Sequence, residues 1–155
     1  MKLRSVSVTL GLAMLLMSTV ALAADVASGT WKLNEAKSKL APGGPKNDTV
    51  KIEAAGDQMK VTVDGTDASG KPTHNEWTGK DDAKDYPVTG DPNTDMRSYK
   101  KTNARSWAIT TKKDGKVTQT GTVTISADGK TRTVKISGTG ADGKHVSSMA
   151  VYEKQ

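Results

Sequence analysis

Three arginines lie beyond residue 24: Arg97, Arg105 and Arg132. A guanidinium stays charged at any working pH, and its planar fork of donors matches a carboxylate. Arg105 alternates with Trp107 and Ile109, and Arg132 alternates with Val134 and Ile136. Alternation on a strand puts such residues on one face. If those faces turn inward, two guanidiniums enter a core, where each is costly unless paired. The carboxylate of a ligand would pair them through bidentate hydrogen bonds. The alternative is that each stands at a strand end with its head in water. Trp31, Trp77 and Trp107, with Tyr99 and Tyr152, either line a pocket or supply the bulk of a core that has no Phe. The candidate ligand-binding set is therefore Trp31, Trp77, Tyr99, Arg105, Trp107, Arg132 and Tyr152.

Other chemistries find less to work with. There is no cysteine, which excludes a disulfide scaffold, a zinc-thiolate site, a cysteine nucleophile and a lipid-anchored lipoprotein. The two histidines are His74 and His145. His74 alternates with Glu76 and Thr78, opposite Asn75 and Trp77. A metal site asks for three or four ligands, and nothing in the spacing of His74, Glu76 and His145 compels one. Asp91-x-Asn93-x-Asp95 starts like a calcium loop, but Met96 stands where the glycine should be and no Glu follows at position 12. No nucleophile elbow accompanies the Ser, His and Asp residues, and Asp81-Asp82 sit in a solvated loop. There is no glycine-rich phosphate loop. The expectation is a binder and not an enzyme, with no catalytic residue, no metal and no cofactor.

The elements that must position the candidate residues are strands. Val50 to Ala54, Met59 to Asp64, Val123 to Ile125 and Val134 to Ile136 alternate apolar and polar residues, the mark of half-buried strands. Eighteen Thr beyond residue 24 suit a pleated surface with one wet face. Strands are predicted near 28–34, 48–55, 58–65, 72–78, 96–102, 105–112, 116–126, 130–138 and 145–153, with a short tenth near 85–88. Asp114-Gly115, Asp128-Gly129 and Asp142-Gly143 recur every 14 residues, and Asp-Gly between alternating runs marks a hairpin. Long strands joined by tight turns make a meander, and closing it into a barrel removes its edges. Residues 34–48 hold one helical turn and then the breaker Pro42-Gly43-Gly44-Pro45. That connection is placed across one barrel end. Residues 79–95 form a second irregular stretch, where prolines exclude a central strand.

The N-terminus is laid out for export. Lys2 and Arg4 precede an apolar run from Val6 to Val20, and Ala21-Leu22-Ala23 supplies small residues for cleavage after Ala23 or Ala24. The run is short of the roughly 20 residues that span a bilayer. The expected organisation is a cleaved signal peptide, 1–24, and one domain, 25–155, working in the periplasm or medium with no stable membrane anchor. Loss of Lys2 and Arg4 takes the net charge from +6 to +4. The remaining lysines are scattered and interleaved with Asp, which gives a solvated surface and not a nucleic-acid footprint. Only 25 apolar residues larger than Ala remain in 131. That is enough for one inward face of a narrow barrel and too few for a thick core.

Gly29-Thr30-Trp31-Lys32-Leu33 in the first strand and Val151-Tyr152-Glu153-Lys154 in the last resemble the calycins, the lipocalins and fatty-acid-binding proteins among them. The resemblance implies an up-and-down antiparallel β-barrel of about eight to ten strands, closed by its first and last strands, with Trp31 plugging one end. Two features depart from the fatty-acid-binding proteins. Residues 34–48 are too short and broken for their helical lid, and Ala150 stands where they place the arginine that binds the ligand carboxylate. The segments 29–34, 85–92, 126–131 and 151–155 also resemble a group of small exported bacterial proteins with no assigned activity. Together these features lead to an exported, monomeric protein holding a small amphipathic or lipid-like ligand. The rival is an envelope interaction module, an inhibitor or stress factor, with a filled barrel and working loops at 34–48 and 79–95.

Overall fold

The computed structural model describes residues 25–139 and 143–155. The proposed signal peptide, 1–24, and Asp142 of the third Asp-Gly pair lie outside the described residues. Ten strands follow in order: β1 (Gly29–Leu33), β2 (Lys46–Ala55), β3 (Gln58–Thr66), β4 (Pro72–Gly79), β5 (Tyr86–Thr89), β6 (Met96–Asn103), β7 (Ser106–Lys113), β8 (Lys116–Ile125), β9 (Thr131–Thr139) and β10 (His145–Lys154). Each pairs antiparallel with its neighbours in sequence. β1 also pairs with β10, with Trp31 opposite Lys154 and Leu33 opposite Tyr152, so the sheet closes into a barrel. The all-β barrel expected from the alternation is what the chain forms.

The alternation also decides inside from outside. Trp31, Val50, Ile52, Val61, Val63, Trp77, Tyr99, Trp107, Ile109, Val123, Ile125 and Tyr152 point into the barrel and are buried. Their neighbours in sequence face water and form ion pairs such as Lys60 with Glu76 and Lys51 with Glu53, both at 2.8 Å. An apolar interior under a charged exterior is the reverse of a membrane barrel, whose outer band must be apolar.

Turn chemistry sets the hairpins. Asp114 and Gly115 have φ of 50° and 74°, the left-handed pair that a two-residue hairpin turn requires. In the longer connection 126–130 only Gly129 is left-handed. Gly121 serves a different end: a Cβ there would lie 2.0 Å from the Lys135 carbonyl oxygen, so its absence lets β8 and β9 close up where the sheet bends.

One loop expectation needs correction in its first part. Residues 34–39 stay beside β10, and do not cross the barrel end. Asn34 N donates to Val151 O, Lys39 N donates to Met149 O, and the helical part is a single 3-10 turn, Glu35–Lys37. The backbone N–H groups at its two ends, Asn34 and Lys39, are taken up by β10, which holds the stretch against the wall. Within 79–95 the short strand expected near 85–88 forms as β5, with Pro87 inside it despite lacking an N–H. The proline is tolerated because β5 makes only two residue pairs with each neighbour, and the wall is completed by bonds from Ala83 N to Tyr99 O and from Lys101 N to Asp81 O.

Candidate ligand-binding site

Each tryptophan owes its place to its strand and to a partner for its indole N–H. Trp31 on β1 is wholly buried, donates to the Ala27 carbonyl at 2.8 Å, and carries the Lys154 ammonium 5.0 Å from its ring centroid. Trp77 on β4 donates to the Arg97 carbonyl at 2.9 Å and meets Tyr99 and Tyr86 edge-on, with centroids 4.9 and 5.8 Å away. Trp107 on β7 donates to Asp81 Oδ2 at 3.0 Å under the ammonium of Lys101. All three donors are satisfied, as burial of a polar edge demands.

Beside Trp107 is a small cavity lined by Ala27, Ile52, Met59, Val61, Tyr99, Trp107, Val123 and Arg132. The free room is about 20 Å³, enough for about one water. Of the seven residues singled out from the sequence, Tyr99, Trp107 and Arg132 line this cavity. Tyr152 adjoins it, its ring centroid 5.2 Å from the Arg132 guanidinium carbon. Trp31 and Trp77 are core bulk and do not line it.

The two arginines with identical sequence patterns part company. Arg132 is the second residue of β9, opposite Ile125 on β8 and Tyr152 on β10, and it is buried inside the barrel. Arg105 does not face the barrel interior. It falls in the turn between β6 and β7, its backbone N–H donates to Asn103 Oδ1, and its side chain is exposed. The cause is a register irregularity between Lys101 and Asn103, which delays the start of β7 to Ser106.

A second interior guanidinium belongs to Arg97, which the sequence reading passed over. It precedes Tyr99 by two on β6, so it shares the inward face, and parity with that aromatic was the signal available. Its Nη2 donates to Asn75 Oδ1 at a long 3.4 Å, and Asn75 is itself buried beside Trp77. Neither Arg97 Nε nor Arg132 Nε has a hydrogen-bond partner. Among the described residues no Asp or Glu is buried with them. Burial lowers the Arg132 pKa, and the positive charge of Arg97 pushes the same way. The Tyr152 phenol is raised by its own burial, an effect that Arg132 partly offsets. The interior thus carries two guanidiniums with donors to spare. Among the described residues the one buried carboxylate oxygen without a partner is Oδ1 of Asp95, immediately before β6, and no hydrogen bond joins it to either arginine.

The histidines stay outside and apart. His74 Nδ1 lies 2.7 Å from Asp64 Oδ1 on the outer face, and His145 Nε2 lies 3.1 Å from Ser137 Oγ on β9. Among the described residues no three His, Asp or Glu side chains are grouped to hold a metal ion.

Comparison with known proteins bears on the fold. No family model matches the chain. No curated protein matches it either. Among solved structures, that of EF1p2_mFAP2b bound to DFHBI superposes over 86% of this chain and 97% of that one, with a TM-score of 0.51 at 12% identity. At that identity the likeness shows a shared barrel fold.

Proposed function

We propose that this protein is an exported carrier that holds a small amphipathic acid inside its barrel. The observation behind the proposal is the buried Arg132, seated against an apolar cavity with an unpartnered Nε and, among the described residues, no carboxylate bonded to it. An uncompensated interior charge opposes folding, and a bound anion relieves it. The acid group meets Arg132, with Arg97 as the second donor. The apolar part occupies the space among Ile52, Met59, Val61 and Val123. The free room limits the ligand, because 20 Å³ does not hold an acyl chain. Uptake therefore displaces side chains, and Met59, unbranched and flexible, is the easiest to move. The layout of residues 1–24 supports export, and the charged outer face suits a monomer in water. The protein binds without catalysis.

The same small volume is the one observation that favours the rival, a filled barrel acting as an envelope interaction module through its loops. Native mass spectrometry of protein isolated from the producing cells separates the two. A reproducible adduct that leaves as an organic acid supports the carrier. An adduct-free protein whose melting is unmoved by a panel of short and medium acyl acids supports the module.

A further inference from the structure

We infer that the turn Asp25–Ser28 is the movable wall of the cavity, latched by the hydrogen bond from Trp31 Nε1 to the Ala27 carbonyl. The purpose of the gate rests on the carrier proposal, but its existence is tested without any ligand. Every lining residue except Ala27 sits on a strand paired to its neighbours, so moving the backbone of one would break a ladder. Ala27 comes from outside the strands, yet it is buried in the core and lines the same cavity as Arg132 and Trp107. The hydrogen bonds described for its turn are local. Ser28 N donates to Asp25 O at 2.8 Å, Ala27 N to Asp25 Oδ1 at 3.1 Å, and Trp31 Nε1 to Ala27 O at 2.8 Å. The side chain that would leave the core is a single methyl group. Swinging the turn away breaks one buried bond, keeps all ten strands paired, and uncovers the cavity beside Met59 and Arg132. Local openings of this kind draw on the least-supported elements of a fold.

Hydrogen exchange of the indole protons, followed by NMR on the protein as isolated, tests the gate directly. Trp31 Nε1–H is the latch, whereas Trp77 Nε1–H is bonded to Arg97 O inside the core. The expected result is exchange at Trp31 at least about tenfold faster than at Trp77, through local opening. Equal rates would show that the turn opens only when the whole barrel does, and would overturn the inference. A second arm uses Trp31→Phe, which keeps a ring and removes the donor, with octanoate as the probe. The latch is lost from free and bound states alike. Association and dissociation should both quicken about fivefold, the worth of one net hydrogen bond, with Kd changed less than twofold. Unchanged rates overturn the latch. If octanoate does not bind the parent protein, the carrier proposal fails while the exchange comparison still decides the gate. If Trp31→Phe does not fold, the same comparison decides it.

Discussion

Replacing Arg132 with Met should make the protein more stable and stop it binding acids. Met has nearly the length of Arg without its charge, so the cavity wall is kept. The loss is the cation–π contact with Tyr152, 5.2 Å from ring centroid to guanidinium carbon, worth about 2 kcal/mol in a desolvated setting. The gain is relief from burying a charge with an unpartnered Nε; the unmade hydrogen bond alone costs about 1–3 kcal/mol. Removal of the remaining charge penalty and of repulsion from Arg97 adds to that. Exchanging buried ions for well-packed apolar groups is known to be neutral or to stabilise by about 1–4 kcal/mol. The balance here is a stabilisation of about 1–2 kcal/mol, or roughly 5 °C in Tm for a domain of this size. Differential scanning calorimetry in ligand-free buffer reads it, with Arg105→Met as the exposed control that should move Tm by less than about 2 °C. A fall of 5 °C or more in Arg132→Met would refute the reasoning. It would mean that the guanidinium is well paired within the fold, leaving no unmet demand for an anion.

Three further outcomes follow from the same geometry. Trp77→Ala should cost about 3–5 kcal/mol in chemical denaturation, because the ring is almost wholly buried against Tyr86 and Tyr99 and its loss also frees the Arg97 carbonyl. Gly121→Ala should destabilise by about 2 kcal/mol or more by the same assay, since the added methyl meets the Lys135 carbonyl and not a side chain that can turn away. Stability should decline gently on both sides of neutrality, as a scan of Tm against pH would show. The hydrogen bond to Asp64 raises the His74 pKa, so that contribution is full below about 6.5 and fades as pH climbs through the raised value. The bonds from Lys60 to Glu76 and from Lys37 to Glu153 lower those carboxyl pKa values, so their contributions hold above about 4.5 and fade as pH falls through the lowered ones. His74→Asn should remove the decline that begins above about pH 6.5 and leave the later one above about 10.5, where the raised lysines Lys46, Lys60 and Lys80 lose their protons.

The barrel was legible because its information is local. Period-2 runs such as Met59 to Asp64 carry inside and outside in the sequence itself, and Asp114-Gly115 announces its turn. Even the short tenth strand, with Pro87 in it, could be placed. The arginines were not legible, because their fate is set by register. Arg105 and Arg132 have the same apolar partners at the same spacing. One irregular residue pair near Lys101 and Asn103 leaves Arg105 in a turn, while the pairing of Arg132 with both Ile125 and Tyr152 carries it inside. Arg97 was passed over because it adjoins a stretch rich in Asp and Pro that reads as loop. Its parity with Tyr99 on the strand predicted at 96–102 was the one signal that it faces inward. Ala27 gave no chemical signal at all, since an alanine in a short segment before the first strand lines the cavity only because the turn that offers its carbonyl to Trp31 is folded against the core.

The central claim, that an acid reaches the interior guanidiniums, is tested most directly by nitrogen-resolved NMR of the arginine Nε–H groups. The described chain has only three: Arg97, Arg105 and Arg132. On addition of a short acyl acid such as octanoate, the Arg132 and Arg97 signals should move and their exchange with water should slow as both donors gain an acceptor, while Arg105 stays in place. Binding that leaves Arg132 and Arg97 unmoved, or no binding at all, would contradict the account.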